Sequence, residues 1–202
     1  MGEDVAATQF SREDRQRYRD KVKRNLDVFA RMLREARFDA EKRSIGLEIE
    51  LNLTDEGGDP AMANAEVLER IADDQFVTEL GQFNVEINIP PRLLTGDVFS
   101  ELEQQIRDSL NAADDKANEI GSHMMIVGIL PTLGPQHLHV RTLSANPRYQ
   151  LLNEQIFAAR GEDLQISIEG VERLSASADS IAPEAACTSF QLHQLVHQAL
   201  VD

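Results

Sequence analysis

The sequence predicts an α+β domain built on an antiparallel sheet, and three observations carry that reading. Residues 45–53 and 83–89 alternate strictly between apolar and polar side chains, as half-buried strands do. Helical periodicities are interleaved with these strands. The strands are amphipathic rather than apolar on both faces, which argues against a doubly wound parallel sheet. No internal repeat is visible.

In order along the chain, residues 1–10 read as a loose tail and residues 11–37 as a long helix. Ser11 with Asp14 can cap it, and Val22, Leu26, Phe29, Ala30 and Leu33 recur at helical spacing. Its many Arg, Lys, Asp and Glu residues read as a solvated face with i,i+4 pairs. In the first strand Ile45, Leu47, Ile49, Leu51 and Leu53 share one face, and Gly46, Glu48, Glu50 and Asn52 the other. Residues 54–60, with Gly57-Gly58 and Pro60, form a turn. Residues 64–73 form a short helix begun by Asn64. The second strand region places Phe83, Val85, Ile87 and Ile89 inward and Asn84, Glu86 and Asn88 opposite, and Pro90-Pro91 closes it.

A helix follows over residues 96–120, with Leu102, Ile106, Leu110 and Ala113 on one face. Residues 122–130 are nearly all apolar and read as a strand buried on both faces. After a loop at 131–135, Asn146-Pro147 opens a helix over 148–160, with proline in the tolerated first turn. Residues 165–168 form a short strand, and 176–186 a mobile Ser/Ala-rich stretch. The last alternating segment, 186–193, puts Ser189, Gln191 and His193 on one face and Thr188, Phe190 and Leu192 on the other.

The polar faces of the two acidic strands hold only Glu and Asn, apart from Gly46, with no compensating cation. A solvated sheet face would show the same alternation, but it usually mixes in Lys, Thr, Ser, Gln or Arg. Like charges on one face repel, and each raises the cost of ionising the next. A divalent cation would remove that cost, and carboxylate and amide oxygens suit Mg²⁺ or Mn²⁺. Glu79 and Glu86 lie an odd number of positions apart, so a single unbroken strand would point them to opposite faces. Gly81 between them suggests a bulge or bend that restores the face.

The net charge of −15 over 202 residues argues against nucleic acid and against anionic membrane surfaces as partners. It fits a protein that handles phosphates through Mg²⁺. No apolar run approaches the ~20 residues of a membrane span, and no secretory signal is visible. The single cysteine, Cys187, excludes an internal disulfide framework and suits a reducing cytoplasm. It reads as a small buried residue rather than a nucleophile, having no adjacent base or cation. His137-Leu138-His139 has a spacing that can bind metal on a strand, but the Pro/Gly context favours an ordinary loop. There is no P-loop, dinucleotide glycine fingerprint or Gly-x-Ser-x-Gly elbow.

Five segments together resemble the N-terminal part of the glutamate–cysteine ligase family, the bacterial carboxylate–amine ligases with a glutamine-synthetase-like fold. They are Gly46-Leu47-Glu48-Ile49-Glu50-Leu51; Glu79 followed by Val85-Glu86-Ile87-Asn88; Ile129-Leu130-Pro131-Thr132-Leu133; Asn146-Pro147-Arg148-Tyr149; and Ala185-Ala186-Cys187-Thr188-Ser189-Phe190-Gln191-Leu192-His193. The resemblance implies a curved antiparallel sheet whose Glu and His residues hold divalent metals against ATP phosphates. It implies phosphorylation of the γ-carboxylate of glutamate by ATP and displacement of phosphate by the amine of cysteine or another amino acid. By motif, the metal-binding set is Glu48, Glu50, Glu79, Glu86 and His193. Glu48, Glu86 and Arg148 fall in catalytic positions, and Glu50, Gln191 and His193 in cofactor-binding ones. Arg148 would lie near glutamate or phosphate.

Members of that family run to roughly double this length, and their later half supplies further metal and phosphate ligands, including arginines. The alternation also lapses at Gln194-Leu195-Val196-His197. The expectation is therefore an incomplete sheet over residues 11–202, half of a site, little turnover by the chain alone, and self-association or pairing with a missing C-terminal half. The competing readings are a non-catalytic remnant or regulatory module that pairs through its unfinished sheet edge, and a metal-dependent hydrolase using the same carboxylates.

Overall fold

The computed structural model describes residues 10–35 and 43–195. Its elements run α1 (Arg12–Arg34), β1 (Ser44–Thr54), α2 (Asn64–Ile71), β2 (Phe76–Thr78), β3 (Asn84–Leu93), α3 (Val98–Asn118), β4 (His123–Met125), α4 (Pro147–Arg160), β5 (Leu164–Glu169), β6 (Arg173–Ala178) and β7 (Phe190–Gln194). Helices and antiparallel pairs are both present, as the alternation predicts. The expected tail at 1–10 falls almost wholly outside the described residues. So do the last two residues of the first helix, 36–37, and residues 196–197 after the last strand.

The main sheet has the order β2-β3-β1, and the far edge of β1 is divided between two strands. β4 pairs with Asn52, Leu53 and Thr54, whereas β7 pairs with the stretch from Ile45 to Ile49. All these pairings are antiparallel. The inward residues of β1 and β3 make the core: Ile49, Leu51, Leu53, Val85 and Ile87 are each at most 2% exposed. Val67 of α2 and Leu102, Ala113 and Ala117 of α3 pack against them. Burying one such aliphatic side chain stabilises the fold by roughly 1.5–3 kcal/mol, so this layer fixes the face that β1 and β3 present outward.

Several boundaries differ from the sequence expectation. Pro90-Pro91 does not close the second strand, because β3 runs on to Leu93. The β1–β3 register shifts between Ile45 and Leu47, and this irregularity absorbs the prolines. Gly46 lies at that shift, where a Cβ would come within 3.4 Å of the Ile89 carbonyl oxygen and 3.6 Å of Pro91 Cβ. Asn64 is not the cap of α2, since Ala63 holds that position. The Asn64 amide instead turns inward and donates to the carbonyls of Gly81 and Asn84 and to Ser144 Oγ.

Residues 122–130 form only a three-residue strand with half-buried and exposed positions, and Ile126 and Ile129 face solvent. The first strand offers β4 no more than three partners before β7 takes over the edge. The stretch expected to be mobile, 176–186, is ordered instead. Its beginning is the end of β6, and Ala182–Ala186 is a 3-10 turn. Ile181 and Ala182 are buried with Leu143, against Leu80, Ile156 and Phe157. Cys187 is exposed rather than buried, because the turn that buries Ala182 and Ala185 has ended before it. No helix among the described residues is long and apolar enough to cross a membrane.

Candidate functional site: an acidic sheet face

Directly paired residues in an antiparallel ladder point to the same side of the sheet. Along β1 and β3 the pairs are Glu48 with Asn88, Glu50 with Glu86, and Asn52 with Asn84. On the other edge of β1, Glu48 pairs with Gln191 and Gly46 with His193. Val77 of β2 pairs with Glu86, and Glu79, two residues beyond Val77, keeps that side. The fold therefore gathers Glu48, Glu50, Glu79, Glu86, Gln191 and His193 on one face, with the core behind it.

Gly81 solves the parity of Glu79 and Glu86 differently from the bulge the sequence suggests. The chain reverses between β2 and β3, and Gly81 sits in that reversal, bridged to Leu143. A Cβ there would lie 2.5 Å from Asn84 Oδ1 and 3.1 Å from both Ala185 Cβ and Phe83 Cε1, so only glycine fits.

The carboxylates differ in how they are held. Both Glu50 oxygens are occupied: Oε2 accepts from Ser189 N at 2.9 Å, and Oε1 from Ser189 Oγ at 2.9 Å and Gln191 Nε2 at 3.3 Å. Glu48 Oε2 lies 3.5 Å from His193 Nε2. Glu86, only 6% exposed, accepts one bond from Asn88 Nδ2 at 2.7 Å. Burial pushes the Glu86 carboxyl above its ordinary pKa; Glu48 and Glu50 add to the shift, and the Asn88 bond opposes it. Glu79 is likewise raised, first by burial and then by Glu86 and Glu50, against the backbone N–H of Leu80 and the charge of Arg148. One rung further along the ladder, Asn84 Nδ2 donates to Asn52 Oδ1 at 3.0 Å, while the buried Asn84 Oδ1 has no partner among the described residues.

Arg148 reaches this face through the start of α4. Asn146 caps the helix by accepting from Arg148 N at 2.9 Å, and Pro147 takes the first position. Tyr149 donates its hydroxyl to the Thr78 carbonyl at 3.0 Å, which ties α4 to the end of β2 beside Glu79. The Arg148 guanidinium carbon stands 5.8 Å from the centre of the Tyr149 ring. Burial and the neighbouring Glu79 raise the Tyr149 pKa, so the phenol stays protonated.

At the opposite end of the face, a cavity of about 700 Å³ is lined by Glu48, Asn88 and His193 together with Asp74 and Gln75. Sequence reasoning missed Asp74 and Gln75, which sit in the turn before β2 and carry no periodic signal. It also passed over Ser189 as a partner of Glu50, although the alternation had put Ser189 on the right face.

The donor set, carboxylates with side-chain amides, suits a hard divalent cation. The raised pKa values of Glu79 and Glu86 mark the charge deficit such a cation would relieve. Among the described residues, however, no three His, Cys, Asp or Glu side chains converge closely enough to cage a metal. The face supplies ligands but does not by itself close a coordination shell. His137 and His139 contribute nothing to it: His137 Nδ1 accepts from Gly134 N at 3.0 Å inside its own loop, as the sequence context suggests.

No curated protein and no solved structure matches the chain. Residues 44–198, from the first residue of β1 to beyond the end of β7, match the family model described as glutamate-cysteine ligase family 2 (GCS2), and the chain with its glutamate-lined sheet belongs to that family of ligase-type enzymes.

Proposed function

We propose that this sheet face is the metal- and phosphate-binding surface of an ATP-dependent carboxylate–amine ligase that joins the γ-carboxylate of glutamate to the amine of cysteine. The observation that carries the reading is the meeting of Glu48, Glu50, Glu79 and Glu86 on one face, with the pKa values of Glu79 and Glu86 raised. A sheet face kept only for solubility would not set the buried Glu86 beside the half-buried Glu79.

In the proposed reaction a γ-carboxylate oxygen of glutamate attacks the γ-phosphorus of ATP, the bond to the bridging oxygen breaks, and ADP leaves. The amine nitrogen then attacks the carbonyl carbon of the acyl phosphate, phosphate leaves with the electrons of the C–O bond, and the amine surrenders a proton. Glu48, Glu50, Glu79, Glu86 and His193 would hold Mg²⁺ or Mn²⁺, with the remaining positions filled by phosphate oxygens, water or further protein ligands. Such a cation neutralises charge on the phosphate oxygens during transfer. Arg148, set beside Glu79 by the Asn146 cap, would hold the substrate carboxylate or a phosphate. Gln191, half-buried between Glu48 and Glu50, would donate to a phosphate oxygen once released from Glu50.

Mn²⁺ titration followed by EPR, on the chain and on Glu86→Gln, tests the metal step. Saturable binding that weakens in the variant is the expected result. No binding by a folded sample would mean that this chain does not hold the metal through these residues. ADP release with glutamate and a panel of amines, cysteine among them, tests the chemistry, and ATP hydrolysis indifferent to the amine would remove the ligase assignment.

A further inference from the structure

We infer that Ser144 is a positioning residue for Glu79, fixing the tilt of the peptide unit from which the Glu79 carboxylate reaches the acidic face. The inference rests on the proposal that this face holds a divalent cation. The ladder between β2 and β3 ends at the Thr78–Val85 pair, so Glu79 lies one residue past the sheet's own support. Its backbone is held instead from the segment that leads into α4.

Ser144 is only 1% exposed. Its hydroxyl donates to the Glu79 carbonyl, and its N–H donates to the Leu80 carbonyl at 2.8 Å. A carbonyl only accepts, so the hydroxyl proton points at Glu79, while Asn64 Nδ2 donates to the same Oγ at 2.8 Å. The bonds form a chain of one sense, from Asn64 through Ser144 to Glu79. The Glu79 carbonyl and the Leu80 N–H belong to one planar peptide unit. Ser144 grips the oxygen of that unit, and its N–H faces the Glu79 carboxylate. Turning the plane would break both interactions together, so the grip on the oxygen sets where the carboxylate stands.

The neighbouring bonds come from the same segment. Tyr149 Oη donates to the Thr78 carbonyl at 3.0 Å, and Gln82 N donates to the Thr142 carbonyl at 2.8 Å. The Ser144 carbonyl accepts from Asn146 N at 2.7 Å, and Asn146 caps the helix that begins Pro147-Arg148. One buried serine therefore joins the backbone of Glu79 to the cap behind Arg148. Removing a group that orients a metal ligand typically lowers metal affinity by about tenfold or more.

Mn²⁺ binding followed by EPR tests the inference, at a temperature where circular dichroism shows each variant folded. Ser144→Ala is expected to weaken binding about tenfold. Added to Glu79→Gln it should cost nothing further, because its effect passes through Glu79. Ser144→Cys keeps the shape with a weaker donor and should fall between the wild type and Ser144→Ala. It stands in if Ser144→Ala does not fold. Binding that Glu86→Gln weakens but neither Ser144 variant changes overturns this inference and leaves the metal reading standing. No binding by the folded wild-type chain overturns both. An equal fractional loss in the wild-type and Glu79→Gln backgrounds, or unfolding of both Ser144 variants, also overturns the inference, since Ser144 would then support the sheet as a whole.

Discussion

Glu50 of β1 and Glu86 of β3 stand directly opposite one another across the antiparallel ladder. Opposed like charges destabilise a sheet, and the fold answers them unequally. Glu50 is closed off by Ser189 and Gln191, whereas Glu86 keeps a single bond from Asn88.

The first prediction concerns Glu86 and pH. Because its folded pKa is raised, the unfolded chain loses its proton first as pH climbs from the ordinary carboxylate range. Stability falls from there through the raised value and is level above it. Glu86→Gln should therefore stabilise the metal-free protein at pH 7 by about 1 kcal/mol. The gain should fade below about pH 4, where both states hold the proton. Thermal melts of both proteins at several pH values measure this. A difference independent of pH would mean that the charge is not its origin.

Glu50 should act as the clasp of the last strand. Glu50→Ala removes the acceptor of Ser189 N, Ser189 Oγ and Gln191 Nε2. Amide exchange is expected to rise about tenfold or more in residues 189–194, while the core amides of β1 and β3 stay protected. Uniform loss of protection across the sheet would show that β7 does not open on its own.

The inward amide of Asn64 bridges three acceptors from the β2–β3 reversal, the start of β3 and the loop before α4. Asn64→Ala strips all three of that donor in a buried place, although the Gly81 carbonyl keeps Asn84 N and Ser144 Oγ keeps the Glu79 carbonyl, with an expected cost of roughly 1–3 kcal/mol in urea unfolding. Asn64→Asp should be no better, since a carboxylate cannot donate to those oxygens.

Gly81→Ala puts a methyl group 2.5 Å from Asn84 Oδ1. An expected loss of about 1–3 kcal/mol follows from overpacking. The same change should weaken Mn²⁺ binding, because the reversal at Gly81 is what turns Glu79 towards Glu86. Unaltered stability would mean that the Asn84 amide yields freely.

The alternating strands were legible because one buried face writes period two into the chain, and the acidic face followed from Glu48, Glu50 and Glu86 without further help. The cap at Ser11 and the proline start of α4 were equally plain, since both are local. What could not be read is where a partner decides. Residues 122–130 carry the composition of a core strand, yet the edge of β1 has room for only three of them beside β7. Pro90-Pro91 looks like a stop until Gly46 yields across the ladder. Asn64 looks like a cap until Gly81 and Ser144 arrive, 17 and 80 residues away, to claim its amide. Asp74 and Gln75 enter the cavity only because β2 turns back on β3.

The division of one edge of β1 between β4 and β7 also sets an order in time. β4 follows β1 by some seventy residues, but the bond from Ser189 to Glu50 spans 139. Closing that loop carries the larger entropy cost, and contacts so distant in sequence form slowly. As the chain leaves the ribosome, β1, β3 and their helices can settle well before β7 has been made. Until β7 arrives, the Glu48–Glu50 end of the acidic surface lies open to water, so the side that Gln191 and His193 supply takes shape after the β1–β3 pair beneath it.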